Sequence, residues 1–130
     1  MTVGRYARQL RQPITQYPLL RLLSEREYVR VQRRRGRLSA TAADARLAQL
    51  QTDERVALEA LRATLSQYRR VTQDRVARNL RVDRTMVNKV WNSGRPGRDR
   101  VWIRSARIIA ATYRALEAEG WSPAPVEVAS

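Results

Sequence analysis

The apolar positions of this chain recur mainly with the period of an α-helix. Residues 99–119 carry one clear apolar stripe, which consists of Trp102, Ala106, Ile109, Tyr113 and Leu116. Residues 41–69 show the same period with a polar interruption at 52–54, and they predict one long helix or two helices in tandem. We therefore expect an all-α protein.

A shorter helix is predicted over 25–35. Ser24 and Glu27 have the spacing of a capping box, and Leu23 and Tyr28 have the spacing of a hydrophobic staple. A strand is the alternative, because apolar and polar residues also alternate in this stretch. The capping signals favour the helix.

The remaining segments suggest how the chain is organised. The first 17 residues are polar and basic, and Pro13 and Pro18 are expected to interrupt regular structure and leave an arm or extended segment. Together with the short helix they would form a basic N-terminal extension, residues 1–37. A helical domain would span 38–120, and residues 121–130, with two prolines, are expected to be a flexible tail.

Residues 71–94 have the pattern of two short helices joined by a tight turn. Thr72 is placed to cap the first helix and Asp83 the second. The inner faces of the two helices would consist of Val76, Ala77 and Leu80, followed by Val87 and Val90. Two capped helices of this length, with a small alanine between them, pack at a steep angle. This is the geometry of a helix-turn-helix motif, here 72–94, whose second helix can enter the major groove.

This stretch resembles the lambda-repressor-like helix-turn-helix family, including the xenobiotic-response-element-type regulators, over about residues 55–118. The resemblance rests on Thr72-Gln73, Ala77, Leu80, Val82, Val87 and Val90, followed by Asn92-Ser93-Gly94-Arg95-Pro96. The end of the motif is also similar to the recognition helix of lac-repressor-type proteins. The family usually has glycine at the turn, where this chain has Arg81, and positive φ at a non-glycine residue costs about 1 kcal/mol.

The resemblance implies a role for each part of the motif. The residues that would read bases from the second helix are Arg84, Thr85, Asn88, Lys89 and Asn92, with Asn88 and Arg84 ranked first. Arginine and lysine can donate to guanine, asparagine can bind adenine with two hydrogen bonds, and threonine can contact the thymine methyl group. The residues that would contact phosphates are Gln73, Arg69, Arg70, Arg75, Arg78, Arg95, Arg98 and Arg100.

The charge of the chain is concentrated around this motif and in the N-terminal extension. The chain has 130 residues and a net charge of +14, and only one of its 26 basic residues is lysine. Residues 1–37 carry +8 and residues 69–107 carry +9. A high-GC coding bias explains the preference for arginine but not its clustering, so we expect two nucleic-acid contact regions.

The N-terminal basic block has two interpretations. Its arginines could contact DNA, either in the minor groove from an arm or on the backbone beside the motif, or they could only keep the chain soluble. Dense like charges repel unless a polyanion offsets them, which favours contact. The residues concerned are Arg5, Arg8 and Arg11 in the arm, and Arg33, Arg34, Arg35 and Arg37 after it.

The residues that the chain lacks exclude several functions. It has no cysteine and no histidine, which removes disulfides, thiolate nucleophiles, the usual general base and most transition-metal sites. We therefore expect neither an enzyme nor a cofactor or metal site. No apolar run suggests a membrane span or a secretory signal, and no small-molecule site is evident, so we expect a cytoplasmic, nucleoid-associated protein.

These features predict a sequence-specific double-stranded DNA-binding regulator of transcription, a repressor of bacterial or phage type. A homodimer is expected, because operators are often palindromic, with residues 41–66 or 101–118 as the interface. An architectural nucleoid-type protein, an accessory subunit of DNA machinery and an RNA-binding or ribosomal protein are the alternatives. The lack of phenylalanine and of exposed aromatic platforms argues against the last.

Overall fold

The computed structural model describes residues 17–93 and 99–123, and within this part the side chains of all residues except 99–104. All regular structure in the described part is helical, so the all-α prediction is confirmed there. The helices are α1 (Pro18–Arg34), α2 (Ala40–Gln67), α3 (Gln73–Leu80), α4 (Arg84–Trp91) and α5 (Asp99–Ala118). None of these helices is long and apolar enough to cross a membrane.

The start of α1 differs from the prediction. The helix begins at Pro18, which suits a first turn because its missing N–H needs no helical partner. Pro18 therefore does not interrupt regular structure, and Ser24 lies inside α1, only 4% exposed, instead of capping it. The predicted staple is also wrong, because Leu23 is buried while Tyr28 is 42% exposed. The alternative of a strand over 25–35 is excluded.

Burial of the first turns of α1 explains this early start. Leu19, Leu20 and Leu23 belong to the main hydrophobic core, which also contains residues of α2, α3, α4 and α5. Tyr17, which was expected to lie in an arm, is 2% exposed, and its ring stacks on that of Tyr113 with centroids 4.7 Å apart. The apolar contacts with α5 thus extend the helix toward its N-terminus beyond the predicted cap.

Helices α1 and α2 form an antiparallel hairpin that extends beyond this core. Helix α2 is one continuous helix and not two in tandem, and the hydroxyl of Ser39 accepts a hydrogen bond from the backbone N–H of Ala42 at its start. A second, smaller cluster of Val29, Ala43 and Leu50 joins the outer halves of the two helices. The tip of this hairpin, residues 33–39, therefore lies outside the main core.

One acidic side chain is buried where the two hairpin helices meet. Glu54 of α2 is 1% exposed, and its Oε2 lies 3.7 Å from Nη1 of Arg26. Its other oxygen, Oε1, has no hydrogen-bond partner among the described residues. Burial raises the pKa of this carboxyl to about 7, although Arg26 and Arg30 act in the opposite direction.

The prediction of two short helices joined by a tight turn is confirmed for α3 and α4. The Thr72 hydroxyl accepts from the backbone N–H of Arg75 at 3.1 Å, and the Asp83 carboxylate accepts from that of Thr85 at 2.9 Å. Both predicted caps are therefore present. Arg81, in the turn, has φ +54°, in the left-handed region that usually requires glycine.

Helix α5 supports both short helices and ends at a second aromatic contact. Val76 of α3 and Val87 of α4 are completely buried in the core that α5 shares with them. Beyond α5, Gly120 adopts φ +100°, and the backbone N–H of Trp121 then donates to the carbonyl of Leu116. This turn places the Trp121 ring against that of Tyr113, with centroids 5.4 Å apart.

Candidate nucleic-acid interface

Helix α4 has one buried face and one exposed polar face. Val87 and Trp91 are buried against the rest of the chain, and Met86 and Val90 are half-buried beside them. The side chains predicted to read bases are all exposed, namely Arg84, Thr85, Asn88, Lys89 and Asn92. The structure therefore brings these five together on one accessible surface, here called the α4 face.

Three amide side chains are linked across the α4 face and the start of α3. Nε2 of Gln73 donates to Oδ1 of Asn88 at 3.1 Å. Nδ2 of Asn92 donates to the same oxygen at 2.6 Å and to the backbone carbonyl of Asn88 at 3.0 Å. Gln73 is thus half-buried and bonded to Asn88, one of the two base readers ranked first. Its predicted contact with a phosphate stays a prediction.

Arg84, the other base reader ranked first, faces an acidic side chain of α3. Its Nε lies 3.5 Å from Oδ1 of Asp74, and both side chains are more than half exposed. An ion pair of this exposure is worth at most about 1 kcal/mol. Arg84 is therefore held only weakly and can exchange this carboxylate for another anionic or acceptor group.

The cap at the start of α4 carries charge. Two hydrogen bonds from Thr85, first that of its backbone N–H, lower the pKa of the Asp83 carboxyl. The carboxylate at this helix N-terminus also interacts favourably with the helix dipole. The orientation of the first turn of the α4 face is thus fixed by a charged cap.

The C-terminal end of α4 is anchored by two other helices. The indole N–H of Trp91 donates to the hydroxyl of Thr112 in α5, and that hydroxyl donates to the carbonyl of Ile108 at 2.7 Å. From α2, Nη1 of Arg62 lies 3.2 Å from the carbonyl oxygen of Trp91 and 3.5 Å from that of Ser93. A cation at the C-terminus of a helix satisfies carbonyls that have no partner within the helix.

The sequence analysis missed both anchoring residues. Arg62 lies in a near-neutral stretch of α2, and Thr112 is a polar residue next to the apolar stripe of α5. No local spacing connects either of them to α4, because the contacts join residues 21 to 31 positions apart. The Trp91 side chain itself is packed in the main core and only 9% exposed.

The seven arginines among the predicted phosphate contacts fall into three groups. Arg69, Arg70 and Arg78 are exposed, and the first two line a cleft of about 190 Å³ together with Glu119. Arg75 lies 3.5 Å from the Glu119 carboxylate and donates to the Arg70 carbonyl, so its guanidinium has partners within the chain. The other predicted contacts are Arg95, Arg98 and Arg100, whose side chains lie outside the described residues.

The basic residues at the hairpin tip do not lie beside α4. Arg33, Arg34, Arg35 and Arg37 are exposed around the hairpin tip, where Arg33 pairs with Asp44 at 2.9 Å. Arg62, which contacts the end of α4, is 22 residues beyond Ala40 in α2, or about 33 Å along the axis. The length of α2 thus separates the tip arginines from α4, and their contact with a nucleic-acid backbone stays a prediction. Arg5, Arg8 and Arg11 lie outside the described residues.

Comparison with known proteins adds no relative to this description. No protein-family model, no curated protein and no solved structure matches the chain. Among the described residues there is also no group of acidic side chains that could hold a metal ion.

Proposed function

We propose that the protein is a sequence-specific double-stranded DNA-binding regulator of transcription, a repressor of bacterial or phage type, and that α4 reads the major groove. In this proposal α3 and α4 form a helix-turn-helix unit of the lambda-repressor-like type, and the protein acts in the cytoplasm at the nucleoid. The observation that carries the proposal is the α4 face, where five polar side chains suited to base edges share one accessible surface.

The surroundings of the α4 face support a nucleic-acid partner. Arg78 and Arg81 are exposed on the helix and turn that precede α4, and Arg69 and Arg70 are exposed before α3. Such side chains neutralise phosphates, while the capped and anchored α4 presents its polar face without further ordering. About eight phosphate contacts would give a slope near −7 in a plot of log affinity against log salt.

A homodimer is part of the proposal, because α4 is only eight residues long and reads few base pairs. Residues 41–66 and residues 101–118 remain the two candidate interfaces. Two α4 faces would then contact half-sites one helical turn of DNA apart.

An architectural DNA-binding protein of low sequence specificity is the second candidate, and one observation favours it. Arg35 and Arg37 are exposed at the hairpin tip, away from the α4 face, where they would add affinity without reading bases. The two candidates differ in the ratio of binding to selected and to random DNA.

The test is selection of bound sequences from random duplex DNA, followed by affinity measurements at fixed salt. A regulator should bind the selected duplex at least about 1,000-fold more tightly than random duplex. Asn88→Ala should change the selected sequence at one position of each half-site. A ratio near one would contradict the regulator and support the architectural protein.

A further inference from the structure

The orientation of the Asn92 amide is fixed by the main chain. Its Nδ2 lies 3.0 Å from the backbone carbonyl oxygen of Asn88, one turn earlier in α4. A carbonyl oxygen only accepts hydrogen bonds, so the Asn92 atom that faces it must be the nitrogen donor. The usual ambiguity between the oxygen and nitrogen of a side-chain amide is thereby removed at this residue.

The fixed Asn92 amide determines the orientation of Asn88. The same Nδ2 lies 2.6 Å from the side-chain amide of Asn88, and because a nitrogen donor needs an acceptor, the facing atom is Oδ1. Nε2 of Gln73 approaches this oxygen from α3 at 3.1 Å. Oδ1 of Asn88 therefore accepts two hydrogen bonds, which occupy both of its lone pairs.

Only the donor end of Asn88 remains available. The side chain is exposed, and its Nδ2 has no hydrogen-bond partner among the described residues. An asparagine that binds adenine with two hydrogen bonds accepts from N6 and donates to N7. In this chain the first of these bonds would be the third on Oδ1, so adenine can be read in this way only if the network breaks.

We propose that Gln73 and Asn92 make Asn88 a donor-only reader, which selects a base edge that carries acceptors. Guanine fits best, because its N7 and O6 present two adjacent acceptors in the major groove. This inference rests on the proposed function, and it replaces the expectation that Asn88 binds adenine. Asn88 is then a specificity-determining residue, and Gln73 and Asn92 are positioning residues that act through it.

The experiment compares selected sequences among the wild type and three variants. Asn88→Ala identifies the base pair that depends on Asn88, and the wild type should prefer guanine there by about tenfold. Asn88→Asp keeps an oxygen for Gln73 and Asn92 but replaces the free donor with an acceptor. Its preference at that position should change to cytosine, whose N4 is a donor.

The third variant releases the network. Gln73→Ala combined with Asn92→Ala frees Oδ1 of Asn88, so the preference for adenine should increase at the same position. Asn88→Asp alone should increase the preference for cytosine and not for adenine. Thermal unfolding shows whether each variant is folded. A wild-type preference for adenine, or an unchanged preference in the double variant, would overturn this inference alone. A wild-type selection that enriches no sequence would overturn the proposed function and this inference with it.

Discussion

Trp91 donates its indole N–H to the hydroxyl of Thr112 at 2.9 Å, and this buried bond joins the end of α4 to the middle of α5. Because the Thr112 hydroxyl donates its O–H to the Ile108 carbonyl, the oxygen lone pairs are free to accept from the indole. This buried bond therefore holds α4 in place from the side opposite the α4 face, and none of its atoms belongs to that face.

Thr112→Val tests this anchor. Valine keeps the shape of threonine but leaves the buried indole N–H without an acceptor, which should lower the free energy of unfolding by about 1–3 kcal/mol. Urea denaturation followed by circular dichroism measures the change. Thr64→Val is the matched control, since Thr64 bonds only the Ala60 carbonyl within its own helix. Equal losses for the two variants would show that the anchor contributes nothing specific.

Asp74→Asn tests the ion pair on the α4 face. The substitution releases Arg84 and removes a negative charge that repels phosphates. Affinity for duplex DNA should therefore rise by roughly two- to fivefold, which corresponds to the free energy of one exposed ion pair. The gain should shrink as salt increases. Asp53→Asn changes the net charge equally but lies on α2, and it should have a smaller effect. Fluorescence anisotropy with a labelled duplex compares them, and equal gains would contradict a local role for Asp74.

Arg81→Gly tests the strained turn between α3 and α4. Glycine adopts φ +54° without the steric cost that arginine has there, so the variant should be more stable by about 1 kcal/mol. Arg78→Gly removes the same charge from the interior of α3 and should lower stability by about 1 kcal/mol. Thermal unfolding of both variants measures the two shifts. A loss of stability in Arg81→Gly would show that the arginine side chain makes a contact that outweighs the strain.

Glu54→Gln tests the buried carboxyl between α1 and α2. Its pKa is about 7 in the folded protein against an ordinary 4.5, so the folded state keeps a proton that the unfolded chain loses. The contribution of Glu54 to the free energy of unfolding should therefore fall as pH rises from 4.5 to 7 and level off above pH 7. Glutamine does not titrate, so the difference in stability between variant and wild type should increase over that window, by on the order of 3 kcal/mol.

Denaturant unfolding at several pH values measures this difference, and the other carboxyls cancel between the two proteins. Glu59→Gln, on an exposed position of the same helix, serves as the control and should follow the wild type. A Glu54→Gln difference that stays constant from pH 4.5 to 7 would mean that Glu54 is ionised throughout and that Arg26 compensates for its burial.

The features that local sequence determines were predicted well. Thr72 and Asp83 cap their helices as expected, because a cap depends only on residues within one turn. The positive φ at Arg81 agrees with the glycine that the resembling family usually has at this position. The exposed side of α4 was predicted correctly because helical period alone places Val87 on the opposite face.

The features that depend on long-range contacts were not predicted from the sequence. The spacing of Ser24 and Glu27 also occurs inside helices, and here burial of Leu19 and Leu20 against distant residues decides where α1 begins. Arg62 reaches α4 from another helix, and no spacing indicates this. The Asn88–Asn92 bond joins positions four apart and could have been found from sequence, whereas the bond from Gln73 requires the packing of α3 on α4.

The stacking of Tyr17 and Trp121 on Tyr113 has a consequence for the segments outside the described residues. Residues 1–16 and residues 124–130, which precede and follow the described part, are both joined to it at this place, next to the residue of α5 that anchors α4. Arg11 is six residues from Tyr17, so the covalent chain limits the distance between their Cα atoms to about 20 Å. This bound keeps the local concentration of Arg11 and its neighbours near Tyr17 high in any conformation of the intervening residues. Any DNA held by the protein within that radius would meet them without a further diffusional search.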